Sequence, residues 1–237
     1  MKRLQRPFPP EMGIEDNLIL TQHQKDFLRA FSKSDIKNLF RLTGGTALSA
    51  FYLEHRLSED LDFFSQEKIP FYIVEDFLKS LDFIDTITYT RLFDRNIFSL
   101  TFKDGMVLKT EFAYYPLKDL EKPNMVDGVA IDSFLDIVVN KLCAMLVAQV
   151  TVAERIEPKD YSDLYCALIS SNLPLDELID LAEKKCEIKR IRHILKARLL
   201  QVPEGIENLP LKVAFTKADI ERLFRNLIKE SLDKELS

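Results

Sequence analysis

The sequence predicts an α+β protein in two parts, on three observations. Its β-prone runs are confined to residues 38–115, helical periodicity takes over from Ser133 to the end, and a strand, a Gly-Gly turn, a helix and an acidic strand follow one another between Asn38 and Phe64. The change of character places a boundary near residue 127, giving an α+β domain over 1–126 and a helical domain over 127–237.

The opening helix is expected over Thr21 to Ile36, where Phe27, Leu28, Phe31 and Ile36 recur among polar residues and Thr21 is suited to the N-cap. A short strand, Asn38 to Leu42, runs into Thr43, Gly44 and Gly45. The helix that follows, Thr46 to Arg56, carries Leu48, Phe51 and Tyr52 at i, i+3, i+4. Asp60 to Phe64 then alternates acidic and apolar residues, so as a strand it turns Asp60, Asp62 and Phe64 to one face and Leu61 and Phe63 to the other.

Pro70 to Leu81 reads as a helix begun at a proline. Three β-rich stretches come next, Ile84–Leu92, Ile97–Phe102 and Met106–Tyr115, the last two joined at Lys103–Asp104–Gly105 by a tight hairpin or a three-residue turn with a bulge. Residues 116–129, with Pro123, Asn124, Asp127 and Gly128, form a linker. Helices are expected at Phe134–Val150, Lys159–Ile169, Leu175–Lys185, Lys189–Leu200 and Lys217–Leu232, interrupted at Pro174 and at Pro203–Gly205.

Composition limits the function. With 46% hydrophobic and 30% charged residues, only 6 glycines and 10 prolines, the chain is neither disordered nor collagen-like. The apolar run from Leu142 stops at Glu154, short of the ~20 residues that span a bilayer, and the basic N-terminus has no apolar stretch behind it, so a cytoplasmic protein without a membrane anchor is expected. Cys143, Cys166 and Cys186 are odd in number and far apart, and read as buried thiols. The net charge of −5 leaves nucleic-acid binding to local basic surfaces. Three histidines without an HExxH pattern argue against a zinc hydrolase.

Carboxylates at i, i+2 in a strand direct their oxygens to one side, where a divalent ion can bridge them. Mg²⁺ suits such a site, because it takes oxygen ligands and is commonly held by one or two carboxylates together with substrate phosphates. Asp-x-Asp also occurs by chance in surface strands. Here Gly45 precedes it by one helix: glycines at a strand–helix turn admit a phosphate to the backbone, the helix N-terminus attracts its charge, and Thr46 adds a hydroxyl. The bland alternative is a tight turn with no ligand.

The run LTGGTALSAFYLEHRLSEDLDFF, Leu42 to Phe64, resembles the signature of the AbiEii/AbiGii toxin-type nucleotidyltransferases, a branch of the DNA polymerase β-like superfamily. The resemblance implies a nucleotide-binding fold in which Gly44, Gly45 and Thr46 hold a triphosphate and Asp60 and Asp62 hold Mg²⁺, with Mn²⁺ as a substitute. It further implies a third carboxylate from a later strand. Glu111 in VLKTEFAYY is the candidate, since a third carboxylate beside two ionised aspartates requires a cation between them; otherwise Glu111 and Lys109 are a solvated strand face.

The resemblance extends to Lys141 and to the string Arg155, Lys159, Asp160, Tyr161, Ser162, Asp163, Leu164, Tyr165. It implies that the helical domain completes the active-site cleft, with Lys141, Arg155 and Lys159 on phosphate and Asp160 orienting Lys141 or the attacking hydroxyl. The alternative is a helix start, with Pro158 at N1 and acids in the first turn. His55 and Arg56 are read equally as nucleotide or acceptor contacts and as a basic helix end. The basic stretch Lys184 to Arg198 is read mainly as a solvated helix face and secondarily as an RNA contact.

These readings converge on an Mg²⁺-dependent enzyme that takes an NTP as substrate and passes NMP to an acceptor hydroxyl. The resemblance implies a toxin with a partner antitoxin, and tRNA or another RNA as acceptor. The competing expectations are a stand-alone transferase acting on a small molecule or a protein, and a non-catalytic nucleotide-binding module.

Overall fold

The computed structural model describes residues 12–147 and 157–236. The chain divides between Ser133 and Phe134 into two compact units. The fold is α+β, as expected.

The first unit is built on a seven-stranded mixed sheet. Helix α1, Gln22–Lys33, starts from a capping box: the Thr21 hydroxyl accepts from the Gln24 amide (3.2 Å) and the Gln24 side chain accepts from the Thr21 amide (2.9 Å). Strand β1, Arg41–Thr43, leads directly into α2, Gly44–Leu48, which continues as a wider π-type turn through Leu53 and ends at Glu54 in the left-handed region. Strand β2 covers Leu61–Ser65 and helix α3 Phe71–Lys79. Strands β3, Ile84–Leu92, β4, Arg95–Phe102, and β5, Val107–Tyr114, complete a meander. Its second turn has three residues: Gly105 donates to Phe102 O while Phe102 N–H donates to Met106 O, and Gly105 takes the positive φ (86°) that this geometry requires.

The stretch read as a linker contains two further strands, β6, Asn124–Val126, and β7, Val129–Ile131. The sheet order is β3-β4-β5-β2-β1-β7-β6. Strand β7 pairs parallel with β1 through Leu42 and Ile131, and Arg41 reaches the buried Asp132 at 2.8 Å. The division between the units therefore falls after Ser133 rather than near residue 127; the Asp127–Gly128 turn is a hairpin inside the first unit, which local composition alone does not separate from a linker.

One face of the sheet is apolar. Phe63, Phe98 and Phe112 are buried there with Leu61, Leu100 and Leu108, and Phe27 and Phe31 of α1 and Phe77 of α3 close over Phe63 as an aromatic cluster. Each such side chain contributes about 1.5–3 kcal/mol on burial. The opposite face carries the polar residues of the same strands, Asp62, Lys109, Glu111 and Arg95.

The second unit is helical: α4, Phe134–Val147, α5, Pro158–Ser171, α6, Leu175–Cys186, α7, Arg192–Leu199, and α8, Lys217–Leu236. Ile137, Val138, Leu142, Leu178, Ile179, Leu195 and Phe224 form its core. Two of the cysteines depart from the expectation of thiols, because the apolar packing of α4 against α6 brings Cys143 and Cys186 into a disulfide; Cys166 is a buried free thiol. No helix among the described residues is long and apolar enough to cross a membrane.

Candidate active site

The acidic pair stands where strand alternation places it. Leu61, Phe63 and Ser65 are buried while Asp60 and Asp62 are partly exposed, so the two carboxylates belong to the polar face. Antiparallel pairing sets Asp62 opposite Thr43, the last residue before the glycine turn. Asp60, just ahead of β2, has its carbonyl bound by the Thr46 hydroxyl and its carboxylate 3.4 Å from the Lys109 ammonium.

The glycine turn is not an empty hollow. Gly44 has φ +73°, and a Cβ there would lie 2.9 Å from Asp62 Cγ and overlap the carboxylate itself. At Gly45 a Cβ would collide with the Arg56 guanidinium, whose Cζ is 3.5 Å away, and would touch Ser58 Oγ at 3.4 Å. The absent side chains thus admit one acid and one guanidinium of the protein itself. Thr46 is buried and holds α2 to the entry of β2, so its hydroxyl serves within the fold, where the sequence suggested a phosphate donor. Arg56 is buried too, with its backbone tied to Ser49 and Nη1 donating to Leu57 O at 3.0 Å. It is a component of the glycine turn, which the motif pair His55–Arg56 hinted at without placing it.

Glu111 lies beside Asp62 in the parallel register of β2 and β5. It is buried, and both its oxygens are taken by Arg95 of β4: Nε donates to Oε1 at 2.5 Å and Nη2 donates to Oε2. Glu111 thus stands level with Asp62 while its oxygens are engaged by Arg95, and among the described residues no group of three His, Cys, Asp or Glu side chains that could hold a metal ion is found. The physical reason is charge: a buried carboxylate demands a counter-ion, and the fork of an arginine one strand away satisfies both oxygens. Asp60 and Asp62 remain a donor set that suits an oxygen-seeking divalent cation, and Glu111 is next to them in register. Arg95 gave no sequence signal, since its role depends on the pairing of β4 with β5.

The helical unit holds its own charged cluster. Lys141 of α4 is buried between two carboxylates of α5, Asp160 Oδ1 at 2.9 Å and Asp163 Oδ2 at 2.6 Å. The i, i+3 spacing puts both acids on one helix face, and Asp163 is wholly buried. Lys141 does not snorkel to solvent. Asp163, quoted in the motif string without a role of its own, is as close to the ammonium as Asp160. A second buried pair, Lys185 to Asp136 at 2.5 Å, ties α6 to α4. Lys159 is half-exposed and pairs with Glu157 at 3.1 Å. Arg155 lies outside the described residues.

The basic stretch is not a uniform solvated face. The helix breaks after Cys186, with Glu187 and Arg190 at positive φ; Lys185, Lys196 and Arg198 are buried, and Arg192 pairs with Asp176 and Asp180. Lys184, Lys189 and Arg190 stay exposed.

A strand–glycine turn–helix unit feeding an acidic strand, set in this mixed sheet and accompanied by a helical unit, is a nucleotidyltransferase fold. Solved structures with this fold include JHP933 from Helicobacter pylori, at a TM-score of 0.55 and 20% identity, covering 91% of this chain and 96% of that one. A second H. pylori chain, described provisionally as a nucleotidyltransferase, has the same score and identity over 92% and 99%. An uncharacterized Aquifex aeolicus (strain VF5) protein, aq_aa25, is 29% identical over 215 residues, 90% of this chain and 98% of that protein. The model of the family described as nucleotidyl transferase AbiEii toxin, type IV toxin–antitoxin system, matches residues 26–236. The chain belongs to the AbiEii nucleotidyltransferase toxin family.

Proposed function

We propose that the protein is a divalent-metal-dependent nucleotidyltransferase that moves NMP from an NTP to an acceptor hydroxyl, acting as the toxin of a toxin–antitoxin pair. The observation that carries this reading is the seating of Asp62 over Gly44 beside Asp60 on one sheet face, in a chain of the AbiEii family. Asp60 and Asp62 would hold Mg²⁺, which supplies charge neutralisation of the triphosphate and of the departing pyrophosphate. Glu111 is the proposed third acid, kept beside Asp62 by the β2–β5 register while Arg95 balances its charge.

The rest of the chemistry falls to cations and positioning. Arg56, lying against Gly45, is suited to a phosphate at the N-terminus of α2, where the helix dipole adds to its charge. In the helical unit Lys141 is held by Asp160 and Asp163 in a fixed position, as a phosphate-binding ammonium requires, and Lys159 and Arg155 are further proposed phosphate contacts. An RNA such as tRNA is the proposed acceptor.

Incubation with each α-labelled NTP and either total RNA or RNase-treated extract tests the reading. Label transferred to RNA in a Mg²⁺-dependent way supports it. Label on protein or metabolite after RNase replaces the RNA acceptor, and no transfer to any acceptor by a correctly folded protein overturns the enzyme assignment.

A further inference from the structure

The two edges of the sheet are protected differently. Strand β6 is a three-residue edge, too short to template another chain, whereas β3 at the other edge runs nine residues from Ile84 to Leu92. Seven of those nine residues are exposed in the chain, Tyr89 and Leu92 among them at 41% and 46%. Edge strands of this length usually carry proline, lysine or inward-pointing charge that blocks pairing. The sequence IDTITYTRL has no proline and no lysine, and its two charges are one acid and one base.

Those two charges are placed symmetrically about Thr88. An antiparallel copy of the strand with Thr88 opposite Thr88 sets Asp85 opposite Arg91, Thr86 opposite Thr90, and Ile87 opposite Tyr89. The twofold axis repeats each of these, so one register yields two ion pairs, two apolar pairs and, with Thr88 meeting itself, three hydroxyl pairs. Opposite charges and aromatic with β-branched partners are the favourable cross-strand combinations, and like charges facing one another are unfavourable. Moving the register by one or two residues loses both ion pairs. The β3–β4 register is irregular between Ile84 and Thr86, which places Asp85 at a bulge and separates it from the regular ladder; its carboxylate is exposed there and accepts from the Thr86 hydroxyl at 3.1 Å.

We propose that β3 is a homodimer edge, on which a second copy of this chain adds its own β3 in antiparallel register about a twofold axis at Thr88, joining two sheets into one. Side-chain alternation makes the continuation coherent. Ile87 and Tyr89 lie on the apolar face, opposite Leu100 and Phe98 of β4, with Tyr89 against Phe71 of α3, and their pairing across the axis extends that face. The charge pattern matches a copy of itself, which selects a self-pair over an unrelated strand.

The test is a charge swap read by sedimentation velocity on the full chain. Asp85→Arg and Arg91→Asp alone each put two like-charge pairs across the axis and should weaken the dimer by roughly tenfold or more, while the double variant Asp85→Arg/Arg91→Asp restores it. A monomer at every concentration, or a dimer indifferent to both reversals, overturns the proposal. Oxidation of Thr88→Cys supplies an independent reading: a covalent dimer on a non-reducing gel supports the axis, and cross-linking by Thr86→Cys but not by Thr88→Cys overturns the register.

Discussion

Glu111 lies level with Asp62 on the neighbouring parallel strand, yet its two oxygens belong to the Arg95 guanidinium. The relationship separates two roles that a sequence motif merges, neighbourhood to the acidic pair and availability to a cation. Removing the arginine should expose the difference. Arg95→Ala strands a buried carboxylate and should cost about 3 kcal/mol in urea unfolding, near the lower end for breaking a buried ion pair. Arg95→Ala/Glu111→Gln should recover much of that loss, and failure to recover would mean that Arg95 stabilises through packing instead.

Asp60→Asn and Asp62→Asn should each lower NMP transfer by about 10²-fold or more, the scale for loss of a group that organises transition-state charge. Both should also abolish the thermal stabilisation given by Mg²⁺ with NTP. Wild-type stabilisation in either variant would remove these aspartates from the metal site.

Gly44→Ala and Gly105→Ala form a matched pair, because both glycines have positive φ but only Gly44 has a neighbour in the way. Gly105→Ala should cost about 1 kcal/mol from backbone conformation alone. Gly44→Ala should cost at least about 2 kcal/mol, by adding displacement of Asp62 to the same strain, and should lose transfer activity. Equal effects in chemical denaturation would refute the contact.

Lys141→Met leaves Asp160 and the wholly buried Asp163 facing each other without a cation. A loss of about 3–5 kcal/mol is expected at neutral pH. Adding Asp160→Asn and Asp163→Asn to Lys141→Met should recover part of the loss, since a neutral amide does not need the ammonium. No recovery in the triple variant would show that the lysine contributes only its aliphatic stem.

Tyr161 gives the alkaline limb of stability. Its ring is buried, and burial pushes the phenol up to about 12, with Asp160 adding in the same direction and Arg198 opposing; the hydroxyl donates to Arg198 O at 2.6 Å. The folded state keeps this proton to a higher pH than the unfolded chain. Stability from this group is therefore complete below about pH 10 and falls by about 2–3 kcal/mol as pH rises from 10 to 12. Tyr161→Phe should flatten that fall while costing about 1 kcal/mol at pH 7 for the lost hydrogen bond. An unchanged alkaline slope in the variant would place the titration elsewhere.

Much of this protein is legible in its residues because the signals are local. Thr21 declares a helix start as an N-cap residue, the alternation of Asp60, Leu61, Asp62 and Phe63 assigns faces before any neighbour is known, and the three-residue spacing of Asp160 and Asp163 puts them on one side of a helix. The family itself is written in Leu42 to Phe64, and the comparison over 26–236 bears it out.

What tertiary structure decided is where each charge finds its counter-charge. Arg95 reaches Glu111 only because β4 pairs with β5, Arg56 reaches the glycine turn only because the chain after α2 folds back on it, and Lys185, from a stretch that reads as solvated, is buried on Asp136 by the packing of α6 on α4. Backbone preference acts over a few residues and can be read along the chain. An ion pair in a low-dielectric interior depends on two groups distant in sequence and near in space, so it becomes visible only once the strands and helices are assembled.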